Sequence, residues 1–334
     1  MEEKQVLLDV KNLRTSFFTD SGEVKSVNDV SFHVNKREVV AIVGESGSGK
    51  SVTQLSIMQL IQSPPGKILG GEVWFRGENL LTFDQKKMRT VRGNGISMVF
   101  QEPMTSLNPV ITVGNQLTEV LRVHHKGMTK KEAWERGIKA LEAVGIPDPE
   151  ARMKNYPFEM SGGMRQRVLI AIAVACSSEL IIADEPTTAL DVTTQAQVME
   201  LLMSLVQENG TSLIVVTHNL GLVTRYADRI YVMYAGRIVE SGTAETIMKH
   251  PRHPYTLGLM ESVPRLDSEK GEQLIPIQGT PPNLADIPEH CSFYDRCKYA
   301  CEECLNKPHP PLREVEEGHC IACHLDVRGG REHA

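Results

Sequence analysis

The sequence predicts an α/β fold that carries a helical insertion and a small cysteine-rich C-terminal domain. Three observations predict it. The apolar run Val39–Val43 leads straight into Gly44-Glu45-Ser46-Gly47-Ser48-Gly49-Lys50-Ser51 and then into a helical stretch. From residue 168 onward short apolar runs alternate with helical segments, a pattern that builds a mostly parallel sheet. Residues from about 102 to 166 are helical and more polar, and beyond about 262 the chain turns proline-rich (Pro276, Pro281, Pro282, Pro288) and then cysteine-rich.

Composition narrows the function classes. With 334 residues the chain holds one large domain, a smaller appendage and ample core. A net charge of −6 gives no global pull toward nucleic acid or anionic lipid. The longest apolar run, Val168–Cys176, falls short of the ~20 residues a membrane span needs. Met1-Glu2-Glu3-Lys4 lacks the basic start of a signal peptide. The expectation is a chain kept in the cytosol that reaches any membrane through a partner.

In chain order, Val6–Val10 and the alternating Val27–Val34 read as strands of a hairpin whose tip is Asp20-Ser21-Gly22. Phe17 and Phe18 precede that turn; they are core aromatics, or one of them stacks on a base. Val39–Val43 is a buried strand, followed by a helix over Val52–Ile61, the Pro64-Pro65-Gly66 break and a strand pair around Gly71–Phe75. Ile96–Phe100 is another buried strand, ending at Gln101. In the helical insertion Trp134, Ile138 and Leu141 share a face, behind a capped start at Met128-Thr129-Lys130-Lys131-Glu132. Leu180–Ala183, a helix over Thr194–Gln207, Ser212–Val216, Ile230–Met233 and Ile238–Glu240 complete the alternation.

The loop after Val43 has the G-x-x-x-x-G-K-S spacing of a P-loop NTPase. Gly44, Gly47 and Gly49 let the backbone curl so that its N–H groups, with those of Glu45, Ser46 and Ser48, face phosphate oxygens at a helix N-terminus. Lys50 reaches the β- and γ-phosphates of a nucleoside triphosphate, and the Ser51 hydroxyl ligates Mg²⁺. An ordinary Gly/Ser turn does not require this strand–loop–helix context. The apolar strand Leu180–Ala183 ends in two carboxylates: Asp184 suits the Mg²⁺ shell, and Glu185 suits a general base on the attacking water. Gln101, at its strand end, bridges Mg²⁺ and water, and His218, after Ile214-Val215-Val216-Thr217, donates to the γ-phosphate. Ser161-Gly162-Gly163 opens a second anion-binding helix N-terminus. Two such ends in one chain point to two chains meeting head to tail, each capping the other's ATP.

The order of phosphate loop, Gln101, Ser161-Gly162-Gly163, Asp184-Glu185, Ala189-Leu190-Asp191 and His218 resembles an ABC-type ATPase over roughly residues 6 to 260. Gln101–Pro109, Gly162–Arg167, Met233–Arg237, His253–Thr256 and Gly279–Pro282 resemble the oligopeptide/dipeptide importer ATPases, whose close relatives import nickel, opines or glutathione. The resemblance implies a nucleotide-binding domain over 1–261, with a helical subdomain at about 102–166, and a C-terminal oligopeptide-transporter-type domain over 262–334. It implies an ATP-hydrolysing subunit, peripheral on the cytoplasmic face of the cell membrane, that powers import of di- and oligopeptides. Its partners would be a second ATPase subunit, identical or homologous, two membrane permeases that contact the helical insertion, and an extracellular binding protein. Phe17 would be the adenine-stacking ring, Ser161, Gly162 and Gly163 would serve the partner's nucleotide, and Asp191 would lie at the shared seam. Met160 and Met164 depart from the general signature, and Asn219 stands after His218 where Asp is common.

Six of the seven cysteines fall between Cys291 and Cys323; Cys176 lies in an apolar run and reads as a small core residue. A reducing compartment disfavours disulfides, so the cluster reads as a metal site. Spacing alone offers Cys301-x-x-Cys304 and Cys320-x-x-Cys323 as a zinc site. The family resemblance selects Cys291, Cys297, Cys304 and Cys323 as ligands of a 4Fe–4S iron–sulfur cluster, a structural staple for the tail, with Cys301 and Cys320 spare. Lys298 stands where the family has proline.

Two other function classes compete. A soluble ABC-type ATPase acting on nucleic acid or ribosomes is opposed by the acidic balance and the single cassette. A metal or redox sensor would need the tail to regulate rather than brace.

Overall fold

The structure, a computed structural model, describes residues 5–188, 191–262 and 276–327. In chain order its strands are β1 (Val6–Thr19), β2 (Gly22–Asn35), β3 (Val39–Val43), β4 (Gly66–Phe75), β5 (Glu78–Asn79), β6 (Ile96–Val99), β7 (Leu180–Asp184), β8 (Ser212–Thr217), β9 (Arg229–Tyr234), β10 (Arg237–Thr243), β11 (Arg313–Glu316) and β12 (His319–Ile321). The chain divides into two compact units. One contains Asn35–Glu38 and Thr82–Val216; the other contains Gln5–Val34, Val39–Leu81 and the chain from Thr217 on.

In the first unit β6 runs parallel to β7, and β7 to β8, with Asp184 opposite Val216. Every residue of β7 and β8 is buried, as parallel strands with both faces covered require. The polar stretch forms helices over Val113–His124, Lys130–Ala143 and Gly162–Val174, the helical subdomain of the fold. The expected capped start is present. Thr129 Oγ1 accepts from the Glu132 N–H at 3.2 Å, and Glu132 Oε2 accepts from the Thr129 N–H at 2.8 Å. Leu117, Leu121 and Leu141 are buried, each contributing roughly 1.5–3 kcal/mol of apolar burial. Trp134 and Ile138 are half-buried. Cys176 packs with Leu121 and Ala133, and burial raises its thiol to about 11, consistent with a core role.

In the second unit one sheet has the order β2-β1-β4-β5, and β1 pairs antiparallel with β4 from Leu8 opposite Phe75 to Phe17 opposite Gly66. Elsewhere in this unit β3 runs parallel to β9, but β9–β10, β10–β12 and β11–β12 are antiparallel. The reversal follows from connection length. A parallel partner needs a long crossover, whereas β9 and β10 are joined by Ala235-Gly236 alone, both with positive φ (46° and 78°), the geometry of a two-residue hairpin.

The C-terminal strands are tied in by ordinary chemistry. Ser241 of β10 pairs with Cys320 of β12. The fully buried Glu240 accepts from the N–H groups of Arg252 (2.7 Å) and His253 (3.1 Å) and lies 2.8 Å from His319 Nε2. Arg252 pairs with Glu316 and Asp326. Among the described residues no helix is long and apolar enough to cross a membrane.

Candidate functional site

The phosphate loop is set by a close approach. A Cβ on Gly44 would sit 2.1 Å from the Met233 carbonyl oxygen, so only glycine lets the chain leave β3 there. The helix begins at Lys50, two residues earlier than expected, and ends at Ile57 rather than Ile61; Gln59, just beyond, has φ 49°. Lys50 is 4% exposed and donates to the carbonyls of Gly44 (2.8 Å) and Glu45 (2.9 Å), so its ammonium lies inside the curl of the loop. Gly49 and Ser48 are buried, Ser46 and Gly47 are exposed, and Ser51 is half-buried in the first helical turn. Phe17 is half-buried near the end of β1, and Phe18 is exposed.

Glu45 is held at two points. Its N–H donates to Tyr255 Oη at 2.8 Å. Its carboxylate accepts a bidentate pair from Arg296, Nη1 to Oε2 at 2.6 Å and Nη2 to Oε1 at 2.9 Å. Sequence reasoning gave neither Tyr255 nor Arg296 a part in the site. The available signal was that Tyr255 sits in His253–Thr256 and Tyr234 in Met233–Arg237, segments that carry the family resemblance.

In the other unit Asp184, 5% exposed, ends β7 and is followed by Glu185 at φ 46°. A left-handed backbone is uncommon for a residue with a side chain and concentrates at functional sites. The Glu185 N–H donates to the Val216 carbonyl (2.9 Å). Its Oε2 accepts from Gln101 Nε2 (2.9 Å) and Thr188 Oγ1 (2.8 Å). Gln101 and Glu185, far apart in sequence, are thus brought together; Thr188 is a partner that the sequence did not single out.

Ser161 caps the helix Gly162–Val174, its Oγ accepting from the Met164 N–H at 3.3 Å. A Cβ on Gly162 would meet nothing within 4 Å, so this helix start is open; Gly163 is half-buried. Asp191 caps Val192–Asn209, accepting from Thr194 N–H (3.0 Å) and Thr194 Oγ1 (2.6 Å). Ala189 and Leu190 lie outside the described residues. His218 is exposed just past β8. Asn219 caps the next turn, its Oδ1 accepting from the Leu222 N–H at 3.1 Å, a role Asn fills as well as Asp.

The metal expectation for the tail is corrected. Among the described residues no group of three or more His, Cys, Asp or Glu side chains is arranged to hold a metal ion. This overturns both the iron–sulfur cluster on Cys291, Cys297, Cys304 and Cys323 and the zinc alternative on Cys301, Cys304, Cys320 and Cys323. All six cysteines are free thiols. Burial pushes Cys297 and Cys323 up to about 12 and Cys304 to about 11, and it raises Cys291 and Cys320. Cys301, whose Sγ lies 3.6 Å from that of Cys304, is lowered, chiefly by a hydrogen bond from the Cys304 backbone. The bracing expected of a cluster is supplied by the Glu240 and Arg252 contacts and by aromatic packing of Phe293 on Tyr234 and Tyr255, with centroids 5.2 and 5.4 Å away.

The ABC transporter family model matches residues 27–188, and the model of the oligopeptide/dipeptide transporter C-terminal region matches residues 239–304. The chain is 51% identical over 315 residues to the oligopeptide transport ATP-binding protein OppD of Bacillus subtilis, covering 94% of this chain and 87% of that protein. It is 50% identical to OppD of Salmonella typhimurium over 322 residues, covering 96% and 94%. Among solved structures it is similar to a dimeric ATP-binding cassette in a post-hydrolysis state bound to ADP and Pi, with TM-score 0.65 and 28% identity, covering 71% of this chain and 99% of that one.

Proposed function

Since this chain belongs to the ATP-binding subunits of ABC transporters, ATPases closely related to the OppD-type proteins, we propose that it hydrolyses ATP to power import of di- and oligopeptides. The observation that carries the substrate class is the match of the oligopeptide/dipeptide transporter C-terminal region in the same chain as the ATPase. The protein sits peripherally on the cytoplasmic face of the membrane and works with two permeases, a second ATPase subunit and an extracellular binding protein.

The nucleotide is bound by the loop Gly44–Ser51. Lys50 supplies the cation for the β- and γ-phosphates, loop N–H groups other than those of Glu45 and Ser48, which bond to Tyr255 Oη and the Glu45 carbonyl, supply donors, and Phe17 stacks on the adenine. The hydroxyl of Ser51, the carboxylate of Asp184 and the amide oxygen of Gln101 are hard oxygen donors that suit Mg²⁺, which neutralises phosphate charge when bound. Glu185 is the general base. The hydrogen bond from Gln101 orients its carboxylate, and the fixed left-handed backbone sets its direction. His218 donates to the γ-phosphate. Ser161, Gly162 and Gly163 present an open helix start to the nucleotide of the facing subunit, and Asp191 lies at that seam. Closure of the two subunits moves the permeases through the helical subdomain, and hydrolysis resets the pair.

Tagging the chain in its own cell, solubilising membranes gently and identifying co-purifying proteins tests this reading. Two polytopic permeases, a second ATPase and a binding protein that takes peptides are expected. Recovery from the soluble fraction alone, or with nucleic acid, would remove the transporter and leave the ATPase.

A further inference from the structure

The C-terminal segment grips the phosphate loop through a contact that the binding scheme above does not use. Arg296 lies 251 residues from Glu45 in sequence, yet its guanidinium closes on the Glu45 carboxylate through two nitrogens. The Arg296 side chain is 4% exposed against 29% for Glu45, so the pair is anchored from the tail side. The remaining nitrogen, Nε, donates to the Gln278 carbonyl at 3.1 Å, and Nη1 lies 3.4 Å from Tyr234 Oη. Tyr234 and Phe293 pack against it, with the guanidinium carbon 5.7 Å from the Tyr234 ring centre and 6.0 Å from that of Phe293, and Tyr255 packs on both rings. Tyr255 takes the Glu45 N–H, so this cluster holds both the backbone and the side chain of one loop residue.

The charge logic is direct. Glu45 follows the first glycine of the loop, and its carbonyl takes the Lys50 ammonium at 2.9 Å. A bare carboxylate at that position opposes a triphosphate, and it competes for Lys50 as an alternative partner. Bidentate pairing with arginine neutralises it and fixes its direction, which a flexible lysine would do less well. We infer that Arg296 is a positioning residue for the phosphate loop: by pairing with Glu45 it sets the affinity for ATP, and the cysteine-rich C-terminal segment thereby tunes nucleotide binding. The inference rests on the ATPase reading and adds to it a role for the tail within the nucleotide site.

The test is equilibrium binding of MgATP to the full-length chain in four forms: parent, Arg296→Gln, Glu45→Gln and the double variant. With Glu45 intact, Arg296→Gln is expected to raise the Kd for MgATP about tenfold, the scale of a lost charge-assisted hydrogen-bond pair. In the Glu45→Gln background the same change should move Kd less than about twofold, because the carboxylate it answers is gone. Arg296→Lys should restore part of the affinity, and it carries the test should Arg296→Gln fail to fold by thermal melting. An unchanged Kd in Arg296→Gln, or an equal rise in both backgrounds, would overturn the inference, since a purely structural role is blind to Glu45. A folded parent chain that bound no MgATP would overturn the nucleotide reading itself.

Discussion

The glycine-rich loop and the cysteine-rich tail lie in the same compact unit, and both carry sequence motifs of high specificity, yet their outcomes differ. At the loop, Lys50 is buried but its ammonium is received by two carbonyls of the loop itself. In the tail, Cys291, Cys304 and Cys323 are buried and burial raises each thiol. The loop is built from consecutive backbone groups, so eight residues of spacing fix its geometry. A four-thiolate site needs side chains from separate turns to converge with the right charge, and spacing does not guarantee that.

Several substitutions would sharpen or break this contrast. The largest effect is expected at Glu185, the proposed general base. Glu185→Gln should lower ATP turnover of the assembled transporter by about 10³-fold while MgATP binding persists; turnover at the parent rate would remove the base assignment. Next, Lys50→Ala should weaken MgATP binding by about 10²-fold, measured by titration. A change of only severalfold would show that the backbone of the loop suffices alone.

The buried histidine of the C-terminal segment gives a pH dependence. Burial lowers His253 from 6.5 to about 4. A base with a lowered folded pKa stabilises the fold fully above 6.5 and loses that contribution as pH falls toward 4, by on the order of 3 kcal/mol. The melting temperature should therefore drop over that window, and His253→Asn, which can still cap the helix Pro254–Glu261, should flatten the drop. Equal slopes in the two proteins would count against it.

Within the tail, Cys301 is the one thiol of the six whose pKa is lowered. It should be alkylated about tenfold faster than its neighbours near neutral pH, as mass spectrometry of partially labelled protein would reveal. Uniform labelling would contradict the protonation pattern and weaken the contrast with the loop. The smallest effect is expected for Asn219→Asp, a few tenths of a kcal/mol in stability, because both residues cap the turn at Leu222.

Much of the fold is legible in the sequence. Val39–Val43 was read at its observed limits, and the capping box at Thr129 was visible because Thr and Glu stand three residues apart before a helical run. Helix limits were less legible. The helix after the loop starts at Lys50 because the loop feeds directly into it, and it stops at Ile57 rather than at Ile61. The sheet is mostly parallel as expected, and β10 departs by running antiparallel to β9 because the Ala235-Gly236 connection is too short for a crossover.

The sequence by itself determined the local, backbone-written features: the strand–loop–helix that begins at Val39, the order of the nucleotide motifs and the family. Those depend on neighbours in the chain, and neighbours are what a sequence records. Only the tertiary structure decided the hydrogen bond between Gln101 and Glu185, the pairing of Arg296 with Glu45, and the burial of the tail thiols Cys291, Cys304 and Cys323. Each depends on distance in space and on exclusion of water, quantities fixed only when distant segments pack.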